Sequence, residues 1–381
     1  MFQTSFIELS QAALTHNFNY LKEVVGPDTQ ISTVIKGNAY GHGIRDFVSM
    51  MLTAGQTHFS VFSADEAQIC REIAPDAEIL IMGMLDNEEI IWALQNQIQF
   101  YIFELDRLTF ALKKAKELGE RALIHLELET GMNRTGLRKE EVKEAVKLLK
   151  TSDEYEIKGI CTHFAGAESI GNYVRIQEQI KSFKKQRKQL EKQGIIAERY
   201  HTASSAATLT YPQTRMDMVR IGILSYGFWP STETFIQCFK GKVDKTDPLK
   251  RILSWKSKVM STKTVETGEF IGYGTTYMAR ENMKIATVPV GYSHGYSRSL
   301  SNQGRVLVNG ERVSVIGIVN MNMMVIEITD VPDTKKGDEV VLIGQQGEND
   351  LSVSSFSELS DQLNYELLTR LPHNIPRIII K

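Results

Sequence analysis

A chain of 381 residues with 44 basic and 46 acidic side chains has a formal charge of −2, which gives no electrostatic reason to bind nucleic acid or an anionic membrane. Its composition, 42% apolar and 24% charged, is ordinary for a soluble globular protein, and the length suits two domains or one barrel with an appendage. Cys70, Cys161 and Cys238 lie far apart and form no CxxC pair, so a disulfide framework or zinc knuckle is not expected and a reducing cytoplasm is.

The N-terminus, Met1 to Glu8, lacks a basic stretch followed by an apolar core, so no signal peptide is expected, and no apolar run is long enough to span a bilayer. Ser10 is suited to cap a helix over Gln11 to Val25, whose Leu14, Phe18, Leu21, Val24 and Val25 fall at helical spacing. Short β-rich runs then alternate with longer amphipathic stretches. The strand candidates are Ile31–Lys36, Thr57–Phe62, Glu78–Met82, Ile98–Phe103, Ala122–Leu128, Ile157–His163, Arg199–Ala203 and Met218–Ile223. Helical stretches such as Asp106–Leu118, Lys139–Lys150 and Asn172–Gln193 separate them. Eight strands alternating with helices predict an α/β fold, a closed (β/α)8 barrel. No GxGxxG follows the first strand, which argues against an open doubly wound sheet.

The rhythm breaks around Phe228–Leu249. Beyond it, strands come close together at Ile252–Thr264, Lys284–Val290, Val306–Val308, Val313–Val319 and Val340–Ile343, with a turn at Asn309-Gly310. A short helix over Ser354–Leu363 and a strand over Arg377–Ile380 complete the reading. The expected division is a barrel over residues 1–235 and a smaller, mostly β domain over 236–381.

Active sites of such barrels sit at the C-terminal ends of the strands. The first strand delivers Lys36 into the turn Gly37-Asn38-Ala39-Tyr40-Gly41, and a neutral lysine is the side chain that condenses with an aldehyde. The fifth runs into Glu129-Thr130-Gly131-Met132-Asn133-Arg134, the sixth into Thr162-His163, the seventh into His201 to Ala207, and the eighth contains Arg220 before Gly222 and Ile223. Each alone reads as an ordinary surface lysine, core histidine, ion-pair partner or helix cap. Five polar ends at one face are harder to attribute to packing.

The strings VIKGNAYGHG, ETGMNRTG, THFA, ASSAA, MVRIGI, GYGTTY and GDEVVLIG, in this order, resemble those of the alanine racemase family over nearly the whole chain. That family depends on pyridoxal 5'-phosphate and joins a barrel to a C-terminal β domain. The resemblance implies that Lys36 carries the cofactor and acts as one base. It implies that Tyr273 is the second base, reaching the opposite face of the substrate from the other subunit of a homodimer. A phenol near its reference pKa of about 10 is a poor base at neutral pH, and the resemblance supplies His163 as its hydrogen-bond partner. It places Arg220 against the pyridine nitrogen. Tyr40, Ser205 and the amides of Gly222 and Ile223 fall to the phosphate. Arg134, Met321 and Tyr292 fall to the substrate or its entrance. The activity implied is interconversion of L- and D-alanine for the bacterial cell wall, in the cytoplasm.

Four places depart from the family's pattern. Glu127 stands where many members have a carbamylated lysine, and is expected to orient Arg134 directly through a charge-assisted hydrogen bond. Asn320-Met321-Asn322 replaces a motif ending Cys-Met-Asp, and Ser293-His294 replaces Ala-Asp after Tyr292. His373 falls roughly where some members have a phosphate-holding tyrosine. A less negative mouth leaves serine or a broader amino-acid range as an alternative substrate. The fold-related decarboxylases are a further alternative, against which Arg220 and the Tyr273 string argue. A pyridoxal-phosphate-binding homeostasis protein is another, but it would leave the β domain and Tyr273 unexplained. None of the eight histidines forms an HExxH or comparable pair, so no metal site is expected.

Overall fold

The computed structural model describes residues 4–241, 243–353 and 364–381. Two compact units are present. One comprises Ala13–Lys36 and Phe47–Lys250; the other joins the residues up to Ala12 to Gly37–Asp46 and Arg251–Lys381.

The first strand, β1 (Ser5–Ser10), belongs to the second unit and precedes the Gln11–Val25 helix without a break. The first unit holds eight parallel strands. They are β2 (Gln30–Val34), β3 (His58–Val61), β4 (Glu78–Ile81), β5 (Gln99–Ile102), β6 (Ala122–Glu127), β7 (Tyr155–Cys161), β8 (Arg199–His201) and β9 (Met218–Ile221). They pair in the order β8-β7-β6-β5-β4-β3-β2-β9, and a parallel bridge between Ser204 and Arg220 brings the two edges together. This is the expected (β/α)8 barrel. β3, β5 and β9 are buried along their whole length, and β2, β4, β6 and β8 at all but one residue, because helices cover the outside and side chains fill the inside.

The helices follow their local signals. Leu105–Leu118 buries Leu108, Ala111, Leu112 and Ala115 at helical spacing and ends on Gly119, whose φ of 69° is the left-handed C-terminal geometry. Asn87–Gln95 starts with a capping box in which Asp86 accepts from the Glu89 amide and the Glu89 side chain accepts from Asp86. Inside the barrel, Leu80, Tyr101, Cys161 and Met218 form an apolar cluster. Buried polar residues, Ser32, His58, Gln99, His125, His201 and Arg220, occupy other positions on the strands.

The second unit is a mainly antiparallel sheet of β10 (Leu253–Lys258), β11 (Ser261–Val265), β12 (Met283–Val288), β13 (Arg305–Val308), β14 (Glu311–Ile316), β15 (Met324–Glu327), β16 (Glu339–Gln346), β17 (Asn349–Leu351) and β18 (Arg377–Ile380). Its order is β11-β12-β15-β14-β13-β16-β10-β1-β18, with β17 beside β16. Asn309 and Gly310 have φ of 49° and 84°, the two positive values that a tight β13–β14 hairpin requires. The run expected as one strand over Ile252–Thr264 is two, and β1, β15 and β17 are strands the sequence reading did not anticipate. The helix expected over Ser354–Leu363 lies outside the described residues.

The turn after Lys36 is wound left-handed. Gly37, Asn38, Ala39 and Tyr40 have φ of 63°, 54°, 52° and 49°, a conformation that costs roughly 1–2 kcal/mol for each residue with a Cβ. The Asn38 side-chain Oδ1 accepts from the Ile44 amide at 3.0 Å, and Arg377 donates to the Gly41 carbonyl at 2.8 Å. A Cβ on Gly41 would lie 1.8 Å from the Leu368 carbonyl oxygen, so this segment and the C-terminal helix meet backbone to backbone.

Candidate active site

Because the barrel strands are parallel, the residues that follow them collect at one end. Lys36 stands two residues beyond the end of β2, and the Ile35 amide between them donates to the Ser60 carbonyl of β3 at 2.8 Å. Glu127 closes β6. The loop after it is braced by Glu129, whose carboxylate accepts from the amides of Gly131, Met132 and Asn133, and it carries Arg134 exposed. His163 follows β7, where Gln179 donates to its carbonyl at 3.1 Å and to Thr130 at 3.2 Å. Ser205 opens the short helix after β8, and the Gly222 amide after β9 donates to its hydroxyl at 3.0 Å.

Arg220 lies in β9, buried, with both arms of its guanidinium engaged. One nitrogen donates to His201 Nδ1 and to the His201 carbonyl. The other donates to the Thr162 carbonyl at 3.0 Å and approaches His163 Nδ1 at 3.5 Å.

Burial and neighbouring cations disfavour the charged forms of Lys36 and His163. Burial lowers the pKa of Lys36, the cations of Arg134 and Arg220 lower it further, and Glu66 partly opposes them. Burial, Arg220, Arg134 and Lys36 together push His163 down to about 3. Its ring is therefore neutral at any ordinary pH. With Nδ1 facing a guanidinium that can only donate, the proton sits on Nε2. Burial raises the pKa of Glu127. A hydrogen bond with Thr135 and the charges of Arg220 and Arg134 oppose that rise, while Glu129 adds to it. The hydrogen-bond partner that the structure gives Glu127 is thus Thr135, with Arg134 acting on it through charge.

Tyr40, Tyr273, Tyr292 and Met321 belong to the second unit. Tyr40 sits in the left-handed turn with its ring edge-on to Tyr365 at 6.2 Å. Tyr273, between Gly272 and Gly274 with φ of 77° and 70°, is 73% exposed. Phe270, Met278, Met321 and Met323 are exposed as well. The loops of Tyr292 and Met321 are stitched together: the Tyr292 amide donates to Asn320 at 3.0 Å, Ser293 Oγ to the Met321 carbonyl at 2.7 Å, and Asn322 to Ser293 Oγ at 3.0 Å. Gly291 permits this, because a Cβ there would lie 2.1 Å from the Asn320 carbonyl oxygen. His294 accepts from the Gly291 amide at 3.2 Å, and His373 is exposed.

The barrel set expected from sequence, Lys36, Glu127, Arg134, His163, Ser205, Arg220, Gly222 and Ile223, is at the strand ends as a group. The sequence reading missed Thr135 and Gln179, which help hold this set, and named His201 only as a strand end, without its contact to Arg220. For His201 the signal was its position at the end of a strand beside the one bearing Arg220.

The family models described as "Alanine racemase, N-terminal domain" and "Alanine racemase, C-terminal domain" match residues 9–230 and 252–379. An alanine racemase of Leptospira interrogans is 33% identical over 381 residues, covering 99% of this chain and 96% of its own. One of Halothermothrix orenii is 34% identical, covering 98% and 96%. Among solved structures, the alanine racemase of Clostridium difficile 630 superposes with a TM-score of 0.91 at 29% identity, covering 100% of this chain and 96% of that one. The Bacillus anthracis alanine racemase, solved with bound L-Ala-P, gives 0.90 at 33% identity with the same coverage.

Proposed function

The chain belongs to the alanine racemase family, and we propose that it interconverts L- and D-alanine with pyridoxal phosphate, using Lys36 and Tyr273 as its two bases. The observation that carries the reading is the Lys36 amine, partly desolvated at the end of β2 and held towards its neutral form by the neighbouring cations Arg134 and Arg220. The donor set fits the cofactor: an amine for the aldehyde, the Ser205 hydroxyl, which accepts from the Gly222 amide and keeps its own proton to donate to a phosphate, and the Arg220 guanidinium as a donor for a ring nitrogen. Tyr40 and the Ile223 amide complete the phosphate set in this reading. When bound, pyridoxal phosphate supplies an aldehyde for the amino group and an electron-withdrawing ring that makes the α-proton removable.

Racemisation needs the α-proton taken from one face and returned on the other, so two acid/base groups flank one carbon. Lys36 Nζ serves one face. Tyr273 of a partner protomer serves the other, in a homodimer whose second units complete each other's sites, and the exposed Tyr273, Phe270, Met278 and Met321 support that assembly. The His163 Nε2–H is the donor that lowers the cost of a phenolate at Tyr273. Arg220, which keeps its proton, would donate to the ring nitrogen of the bound cofactor without protonating it, which would disfavour transamination. Arg134, biased by Glu127, and the Met321 amide receive the substrate carboxylate, with Tyr292 at the entrance.

D-alanine for a cell wall, made in the cytoplasm, is the role this activity serves; no helix among the described residues is long and apolar enough to cross a membrane. A broader amino-acid range is the second reading, favoured by Asn322 and His294, which stand where the family carries acids. Substitution of Lys36→Ala or Tyr273→Phe tests the assignment: conversion should collapse in both directions for the first and fall strongly for the second. Full turnover by Tyr273→Phe would remove the phenol from the reaction.

A further inference from the structure

A continuous line of hydrogen bonds runs through the barrel interior behind Arg220. The guanidinium donates to His201 Nδ1. His201 Nε2 lies 2.8 Å from His125 Nδ1, and His125 Nε2 lies 2.7 Å from Gln99 Oε1. Gln99 Nε2 donates to Glu78 Oε2 at 2.7 Å, and Glu78 is clamped by both arms of Arg199 at 2.7 and 3.0 Å. His201, His125 and Gln99 are buried on β8, β6 and β5, and the line ends on β4.

The two ends fix the direction of every link. Glu78, held down to about 2 mainly by Arg199 against the opposing effect of its burial, is ionised and can only accept. Gln99 must therefore give it the amide N–H, which leaves Oε1 as an acceptor and requires the proton of His125 on Nε2. His125 Nδ1 is then bare and takes the Nε2 proton of His201, whose own Nδ1 is bare for Arg220. Arg220 can only donate, so the same assignment is reached from the other end. Burial and neighbouring cations hold both imidazoles neutral, and a neutral ring with one donor and one acceptor is what each place needs.

We propose that His201, His125, Gln99 and Glu78 are positioning residues for Arg220, a one-way relay that locks the guanidinium in place and directs the pull of the Glu78 carboxylate onto it. Aligned hydrogen bonds polarise one another in a low dielectric, so the distant Glu78 carboxylate reaches Arg220 through hydrogen bonds, whereas Glu127 acts on it through charge. A carboxylate in direct contact would supply a proton acceptor where the proposed chemistry needs only a donor. The role in turnover rests on the reading of Arg220 given above; the direction of the relay does not.

Nitrogen-15 NMR of histidine-labelled, cofactor-free protein tests the relay itself, with signals assigned through His125→Gln and His201→Gln. His125 and His201 should each show a protonated Nε2 and a bare Nδ1, unchanged between pH 8 and pH 5. Gln99→Leu should mix the tautomers of His125 and His201. In the cofactor-loaded enzyme it should lower kcat by about two- to tenfold, the worth of one hydrogen bond, with KM unchanged. Mixed or Nδ1-protonated tautomers in the unsubstituted protein would overturn the relay, as would native tautomers and native kcat in Gln99→Leu. Fixed tautomers in a protein that does not isomerise alanine would leave the relay standing and remove the proposed reaction instead.

Discussion

Gly159 and His125 face one another on paired strands so closely that a Cβ on the glycine would lie 2.1 Å from His125 Nδ1 and 2.8 Å from His201 Nε2. The missing side chain on β7 is what lets imidazoles from β6 and β8 meet across it. Gly159→Ala should therefore cost about 1–3 kcal/mol as overpacking and lower the thermal midpoint, with His125 and His201 losing their single tautomers. An unchanged midpoint with unchanged imidazole signals would show that the strands yield without cost.

Acid should unfold the barrel earlier than its carboxylates alone predict. Burial, with nearby cations, holds His58 at about 4 and His163 at about 3, and His125 and His201 well below their ordinary value of 6.5. The unfolded chain binds a proton at each below pH 6.5 and the folded one does not. Stability is thus intact above pH 6.5 and falls as pH drops, until each site reaches its own folded value. The fall is up to about 1.4 kcal/mol per pH unit for each site. Denaturant titrations from pH 7.5 to pH 4.5 should show this loss beginning near 6.5, and a flat profile down to pH 5 would contradict it.

Arg220→Glu replaces a permanent donor by a group that can hand a proton to a ring nitrogen, and it places a carboxylate against His201 Nδ1, which now accepts from Arg220. The variant should convert more alanine to pyruvate for each isomerisation. An unchanged product ratio would free Arg220 of that role.

Much of this architecture was legible in the sequence, and the exceptions have physical reasons. The eight barrel strands could be read because each is a short, β-rich run between helices, and the segment borders fall within a few residues of those expected. β1 was hidden because Ser5–Ser10, which alternates buried and half-buried residues, is a piece too short to stand out before a helix. The Lys36 turn reads as flexible from its glycines, yet Gly41 is there because the Leu368 carbonyl leaves no room for a Cβ. The relay could not be read at all. Gln99, His125 and Glu78 are ordinary residues of their own strands, and only the barrel register brings them into line.

Glu127 gives a direct prediction about dissolved carbon dioxide. Its carboxylate belongs to the chain, hydrogen-bonded to Thr135 and facing the charges of Arg220 and Arg134, so no carbamylated lysine is needed at that place. Activity should be the same in buffer stripped of bicarbonate as in buffer containing it. A loss on stripping, restored by added bicarbonate, would show that another group supplies the anion.

The central claim is that one carbon is deprotonated from one face and reprotonated from the other. Incubating the protein and pyridoxal phosphate with L-alanine in D₂O, and following α-deuteration together with optical rotation, tests it in one experiment. The account predicts deuterium at the α-carbon and decay of rotation to zero, with carbon dioxide not released. Alanine that stays wholly L and undeuterated, or that loses its carboxyl group, would contradict it.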